Sequence, residues 1–142
     1  MRQAYVDANV LLRFLTGDPV DLAAQARALF DAVEKGEVTL LLDEIVVAET
    51  VWVLHSFYRY LNHEISRAVQ QLLSHDGLRA DDKPGLLTAL QLFADKNVDF
   101  ADALVAVHMA QQGVPDIFSF DRHFDHLPGI KRCSLENFEF EN

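Results

Sequence analysis

The chain has 142 residues, of which 50% are hydrophobic and 24% are charged, and this balance is typical of one globular domain rather than a disordered chain. The formal net charge of −10 argues against a protein that holds nucleic acid through a broad basic surface, although bound divalent cations can reverse the sign of an acidic pocket. Cys133 is the single cysteine, which excludes an intrachain disulfide framework and a zinc site built from several thiolates.

Short apolar runs alternate along the chain with segments of helical periodicity, and turn residues separate them. In chain order, the predicted elements are a buried strand at 4–6, a helix at 21–35, a second strand at 38–43, helices at 44–58 and 63–76, a short strand at 78–80, helices at 84–97 and 99–112, a third buried strand at 116–120, and an edge strand within 130–138. We expect Asp21 and Asn62 to cap helices at their starts, and Gly36, Gly77 and Gly113 to lie just past helix ends.

This alternation predicts an α/β protein: a three-layer α/β/α sandwich with a central, mostly parallel sheet, forming one domain over residues 1–142. In such sheets, ligands bind outside the carboxyl ends of the strands, so acids at strand ends are the first candidates for a site. No apolar run approaches the roughly 20 residues of a membrane helix, and the N-terminus lacks the apolar stretch of a signal peptide. We therefore expect a cytoplasmic protein with no membrane association.

Four carboxylates occupy positions where packing alone would favour other residues. Asp7 and Asp121 each end a predicted strand, in "YVDANV" and "FSFDRHF". Glu49 has apolar residues three and four positions away on both sides, which predicts a place in the centre of an apolar stripe on its helix. Asp102 has apolar residues three and four positions further along the chain, Val105 and Ala106.

Simpler roles exist for several of these acids. Asp7 and Asp121 could be ordinary turn residues, and Asp99 could cap a helix that stabilises Asp102 through its dipole. Glu49 fits such a role least, because no basic residue lies within one helical turn of it. One shared cause explains the set better, since crowded carboxylates raise one another's pKa unless a cation lies among them. A site made only of oxygen donors suits Mg²⁺ or Mn²⁺, and such sites typically act on phosphate esters.

Four segments carry a resemblance to a known family. In order along the chain, "VDANVLLRFLTGD", "VVAETVWVL", "DFADALVAVHMA" and "FSFDRHF" resemble the signature segments of PIN-domain ribonucleases, and most closely those of the toxin subunits of VapBC-type toxin–antitoxin modules. The resemblance covers the whole chain, in the order and at the spacing usual for the family's compact members.

The resemblance implies an acidic metal site at Asp7, Glu49, Asp102 and Asp121, and Asp99 matches an acid found in many members. It also implies supporting roles for two polar residues that would orient the carboxylates, Asn9 and Ser119. Ser119 departs slightly from the family pattern, where Thr is commoner.

The activity implied is endonucleolytic cleavage of RNA that depends on Mg²⁺ or Mn²⁺. Toxins of this kind are typically homodimers, and a small antitoxin neutralises them by covering the active site with its C-terminal segment. The net charge of −10 is compatible with an antitoxin whose inhibitory segment is basic.

Other polar residues near these motifs have weaker assignments. Arg13 and Arg122 could contact phosphate, Arg13 could instead pair with an acid of the site, and both could be solvated surface residues. His123 and His126 form an H-x-x-H pair, but without a third nitrogen or sulfur ligand a place on a surface loop is favoured over a zinc site.

Two other classes of function remain open. A receiver-like signalling domain also combines a parallel sheet, acids and Mg²⁺, but it needs paired acids after its first strand, where Asp7 stands alone. A non-catalytic PIN scaffold that only binds a protein partner is the second alternative, and the complete set of acids argues against it.

Overall fold

The computed structural model describes residues 2–136, and it confirms an α/β architecture in which parallel strands are flanked by helices. The strands are β1 (Arg2–Tyr5), β2 (Val38–Leu41), β3 (Leu78–Arg79), β4 (Asp116–Phe118) and β5 (Lys131–Cys133). The helices are α1 (Ala8–Thr16), α2 (Val20–Glu34), α3 (Glu44–Ser56), α4 (Asn62–Leu73), α5 (Lys83–Lys96) and α6 (Phe100–Gln112), and a 3₁₀ helix spans Arg122–His126.

The strands form two parallel sheets. One has three strands in the order β1-β2-β3, and β4 and β5 form the other, with Asp116 opposite Lys131. Strands β2, β3 and β5 lie where the sequence predicts them, although residues 137 and 138 of the predicted C-terminal strand lie outside the described part of the chain. Because all pairings are parallel, Asp7 follows the carboxyl end of one sheet and Asp121 follows that of the other.

The prediction of full burial is wrong for the first and fourth strands. Strand β1 is an edge strand whose Tyr5 is 75% exposed, and only Val6, just beyond it, is buried. Phe118 and Phe120 are 56% and 86% exposed. A strand is buried on both faces only inside a covered sheet, whereas β1 has one neighbour and β4 belongs to a sheet of two.

Helix ends follow local chemistry, with four corrections. Helix α4 ends at Leu73 with Ser74 as its C-cap, so Gly77 does not lie just past its end. Pro19 rather than Asp21 occupies the N-cap of α2. Asn62 is the first residue of α4 rather than its cap. The residue before it, Leu61, donates its backbone N–H to Glu64 Oε1 at 3.0 Å. Helix α5 begins one residue before Pro84, because the Asp82 carboxylate accepts the Gly85 N–H at 2.9 Å.

Helix α1 follows β1 directly, at residues to which the sequence assigned no element. The helices pack on the sheets and on one another: α1 lies against α2 and α3, α5 against α4 and α6, and α3 against α6. The core between them is built from fully buried aliphatic side chains, among them Leu11, Leu40, Leu54, Ile65, Leu78, Leu86 and Leu90. Within residues 2–136, no helix has the length and apolar character needed to cross a bilayer.

Candidate active site

Three side chains from two segments meet at the start of α6. Asp102 lies in the first turn of α6, Asp121 follows β4, and His123 lies in the 3₁₀ helix. Each offers a donor atom, and these atoms lie within 4.8 Å of one another. Over the described range 2–136, this is the group of acids, histidines and cysteines that could together hold a metal ion.

Local hydrogen bonds fix the position of Asp121. Its backbone N–H donates to Ser119 Oγ at 2.9 Å, and its Oδ1 accepts the backbone N–H of His123 at 2.9 Å. Asp121 is therefore the N-cap of the 3₁₀ helix, as its role as a turn residue suggested. The hydroxyl of Ser119 contacts the Asp121 backbone rather than its carboxylate.

A brace from β5 holds the same loop. The Arg132 guanidinium donates to both carboxylate oxygens of Asp125, at 3.0 and 3.2 Å, and to the Ser119 carbonyl at 3.4 Å. Sequence reasoning missed Arg132, because no motif marks it and its role appears only once β4 and β5 pair. The hydrogen bond from Arg132 lowers the pKa of Asp125, which favours the ionised carboxylate and so keeps this ion pair.

Asp102 is held in an environment that disfavours its charge. Its side chain is half-buried, and burial together with the neighbouring charges of Asp121 and Asp99 raises the pKa of Asp102, against a smaller opposing effect of His123. Asp99 occupies the N-cap of α6, but its side chain makes no capping hydrogen bond. Crowded carboxylates of this kind are stabilised by a cation between them.

Asp7 and Glu49 lie outside this close group. The Asp7 side chain caps α1 by accepting the Val10 N–H at 3.2 Å, a role that the sequence did not predict for it. Glu49 is exposed near the middle of α3, the helix that packs against both α1 and α6. The convergence of all four predicted acids therefore remains a prediction, and the structure itself brings Asp102 and Asp121 together.

The apolar stripe around Glu49 lies at the boundary of the core, where its members Val46 and Val53 are half-buried and two others are exposed. Ile45 and Trp52 are 72% and 66% exposed. The core face of α3 is a different one, with Val47 and Leu54 among its buried residues. Helix α3 is apolar around most of its circumference, so spacing alone does not show which face is buried.

The two arginines differ in their surroundings. Arg13 Nη1 donates to the Asp18 carbonyl at 3.2 Å and to Tyr58 Oη at 3.4 Å, so it supports the loop after α1 rather than pairing with an acid of the site. Arg122 is exposed at the first position of the 3₁₀ helix, next to Asp121. Asn9 is exposed in the first turn of α1.

A cavity of about 690 Å³ lies apart from these acids, at the carboxyl ends of β1, β2 and β3. Several of its polar residues have structural roles: Asp43 and Asp82 cap α3 and α5, and Glu44 Oε2 lies 3.2 Å from His108 Nε2. Asp102 and Asp121 are not among the residues that line this cavity.

Comparison with known proteins gives two findings. The PIN domain family matches residues 4–130. Over 122 residues the chain is 28% identical to the VapC ribonuclease of Aquifex aeolicus (strain VF5), and the alignment covers 86% of this chain and 90% of that protein.

Proposed function

This chain belongs to the PIN-domain family, and from that premise we propose that it is a metal-dependent endoribonuclease and the toxin of a toxin–antitoxin pair. The single observation that carries the proposal is the close approach of the Asp102 and Asp121 carboxylates, whose donor atoms lie within 4.8 Å. A catalytic site explains this approach, because packing alone gives no reason to bring two acids together and to bury both of them in part.

The residues present fit Mg²⁺ or Mn²⁺. Carboxylate oxygens are the donors these hard cations prefer. Burial and then the negative charges of Asp121 and Asp99 raise the pKa of Asp102, and a bound cation would offset that repulsion. Asp102 and Asp121 would hold the ion. When the ion is bound, Asp7 and Glu49, with Asp99 as a further acid, would lie around it as additional ligands or would bind its water molecules.

The protein's own groups divide the remaining work. A bound divalent cation supplies polarisation of the phosphoryl group and a lowered pKa for an attacking water. Ser119 Oγ accepts the Asp121 backbone N–H, and the Asp121 carboxylate is oriented because its Oδ1 accepts the His123 backbone N–H at 2.9 Å. Asn9 would support Asp7 from the first turn of α1. Arg122 is exposed beside Asp121, and its guanidinium would contact a substrate phosphate.

The proposed partners are RNA, an antitoxin and a second copy of the chain. A net charge of −10 suits an antitoxin with a basic inhibitory segment. For self-association we propose the exposed face of α3 and the segment after it, where Ile45, Trp52, Phe57 and Leu61 are all at least 60% exposed. The family match over residues 4–130 supports a single domain over the whole chain.

The decisive experiment incubates purified, antitoxin-free protein with defined RNAs in Mg²⁺, Mn²⁺ or EDTA. We expect cleavage at discrete positions with either metal and none with EDTA. The matched control is Asp121→Asn prepared in the same way, because it separates the protein's own activity from a contaminating nuclease. Cleavage that survives in this variant would refute the assignment, and RNA or protein binding without cleavage by the parent would favour a non-catalytic scaffold.

A further inference from the structure

His123 contributes a nitrogen donor to a group otherwise made of carboxylates. One of its ring nitrogens belongs to the set of atoms that lie within 4.8 Å of one another, together with oxygens of Asp102 and Asp121. The imidazole is half exposed, with a side-chain exposure of 51%, so it is accessible to an ion from solvent. The signature-segment resemblance assigns no role to this histidine.

Hydrogen bonds within the 3₁₀ turn fix the position of His123 relative to Asp121. Its backbone N–H donates to Asp121 Oδ1 at 2.9 Å, and its ring Nδ1 lies 3.2 Å from the same oxygen. The 3₁₀ turn therefore places the imidazole and the Asp121 carboxylate side by side, and the Arg132–Asp125 contact braces that turn.

We propose that His123 is a ligand of the cation held by Asp102 and Asp121, and that it makes the site favour Mn²⁺ over Mg²⁺. The inference rests on the proposed function, because it requires that the acids bind a divalent cation. It adds a specificity-determining residue and a prediction about which ion the site selects.

The preference follows from ligand chemistry. Mg²⁺ takes oxygen donors and keeps much of its water, whereas first-row transition ions accept imidazole readily. A set of two carboxylates and one imidazole therefore gains more with Mn²⁺ than with Mg²⁺. His126 provides the contrast, because it shares the same 3₁₀ helix and its ring centroid is 6.3 Å from that of His123, yet it does not belong to the donor group.

The test measures direct nitrogen coordination to Mn²⁺ by electron spin echo envelope modulation on the full-length protein. The parent is expected to show modulation from a ligating ¹⁴N nucleus that changes to the ¹⁵N pattern when histidine is labelled. His123→Gln is expected to lose this signal, and His126→Gln, the matched control, is expected to keep it.

Calorimetric titration of the same proteins gives the second readout. For His123→Gln we expect Mn²⁺ affinity to fall by about tenfold, the lower end of what losing a partner of a metal site costs. Mg²⁺ affinity should change much less, and both affinities of His126→Gln should match the parent.

The outcomes separate the two proposals. Mn²⁺ binding without a ¹⁴N signal in the parent, or a signal that survives in His123→Gln, would overturn the role of His123 and leave the carboxylate site standing. Parent protein that binds neither Mn²⁺ nor Mg²⁺ would overturn both the metal site and the ligand.

Discussion

Replacing Asp102 with Asn tests whether this half-buried acid belongs to a metal site or only to a helix terminus. The change keeps the size of the side chain and removes its charge. If Asp102 shares a cation site, its charge destabilises the metal-free protein and stabilises the metal-bound one. If it is an ordinary first-turn acid, its charge stabilises α6 whether or not metal is present.

The magnitude follows from the geometry. Two unit charges 4.8 Å apart, the limit for the Asp102 and Asp121 donors, repel by about 3.5 kcal/mol at an effective dielectric constant of about 20 and by about 0.9 kcal/mol in water. Both side chains are partly exposed, so the lower end, about 1 kcal/mol, applies. Losing the interaction with the helix dipole costs about 0.3–1 kcal/mol. The metal-free variant should therefore be as stable as the parent or up to about 0.7 kcal/mol more stable.

Thermal melts measure this difference. A chain of 142 residues has an unfolding entropy near 0.3 kcal/mol/K, so about 1 kcal/mol corresponds to about 3 °C. The matched control is Asp21→Asn, because Asp21 is an exposed first-turn acid of α2. It loses the dipole interaction without relief of repulsion, so its melting temperature should fall by about 1–3 °C.

Metal-induced shifts complete the test. At a metal concentration 100-fold above the dissociation constant the parent should gain about 2.7 kcal/mol, or about 9 °C. A variant that binds tenfold more weakly should gain about 1.4 kcal/mol, or about 5 °C. Equal shifts in Asp102→Asn and the parent, together with a metal-free loss like that of Asp21→Asn, would refute the metal-site reasoning.

Asp7→Asn is expected to abolish metal-dependent RNA cleavage while changing the melting temperature by less than about 3 °C, since Asn caps helices as well as Asp does and can keep the Val10 contact; cleavage at the parental rate would return Asp7 to a structural role. Because the folded-state pKa of Asp102 lies above its ordinary value of 3.8, the metal-free parent should lose stability as pH rises through the raised value, and melts from about pH 4 to about pH 8 should show a smaller loss in Asp102→Asn. Trp52→Ser is expected to weaken self-association, because that side chain is 66% exposed on α3; an unchanged mass in sedimentation equilibrium would exclude this face. Gly113→Ala should lower stability by about 1 kcal/mol in chemical denaturation, because φ at this position is 71° and favours glycine; an unchanged midpoint would contradict this account.

Much of the fold could be predicted because local chemistry determines it. Gly113 ends α6 with a left-handed φ of 71°, and Gly36, with φ of 76°, follows the end of α2. The apolar run of β2 became the central strand of its sheet. Such features depend on a few neighbouring residues, which the sequence displays directly.

What escaped prediction depends on long-range arrangement. The exposure of Tyr5 and Phe118 follows from the position of their strands at sheet edges, which an apolar run does not encode. The exposed position of Glu49 depends on which face of an almost wholly apolar helix meets the core. Helix α1 was missed because Asp7 was considered as a strand end rather than as a cap.

The site shows the same division. The approach of Asp102 to Asp121 agrees with the expectation that the acids share one region, since both follow from the path of α6 and β4. His123 was assigned to a surface loop, because only the 3₁₀ turn brings its ring beside Asp121. The spacing of Asp121 and His123 was the sequence feature that could have indicated their contact. Spacing within a loop does not show which way a side chain points, so it could not predict that contact.

Because β4 and β5 pair in a sheet of their own, this part of the protein can unfold locally. A two-stranded sheet is a marginal unit, and local unfolding of such units costs less free energy than global unfolding. A cation between Asp102 and Asp121 would act as a cross-link from α6 to the end of β4, closing a loop of about 20 residues. Amide hydrogen exchange in residues 116–133 would then slow when metal binds, while exchange in β1, β2 and β3 would change little. The segment that carries Asp121 would thus be ordered by the same ion that the proposed reaction requires.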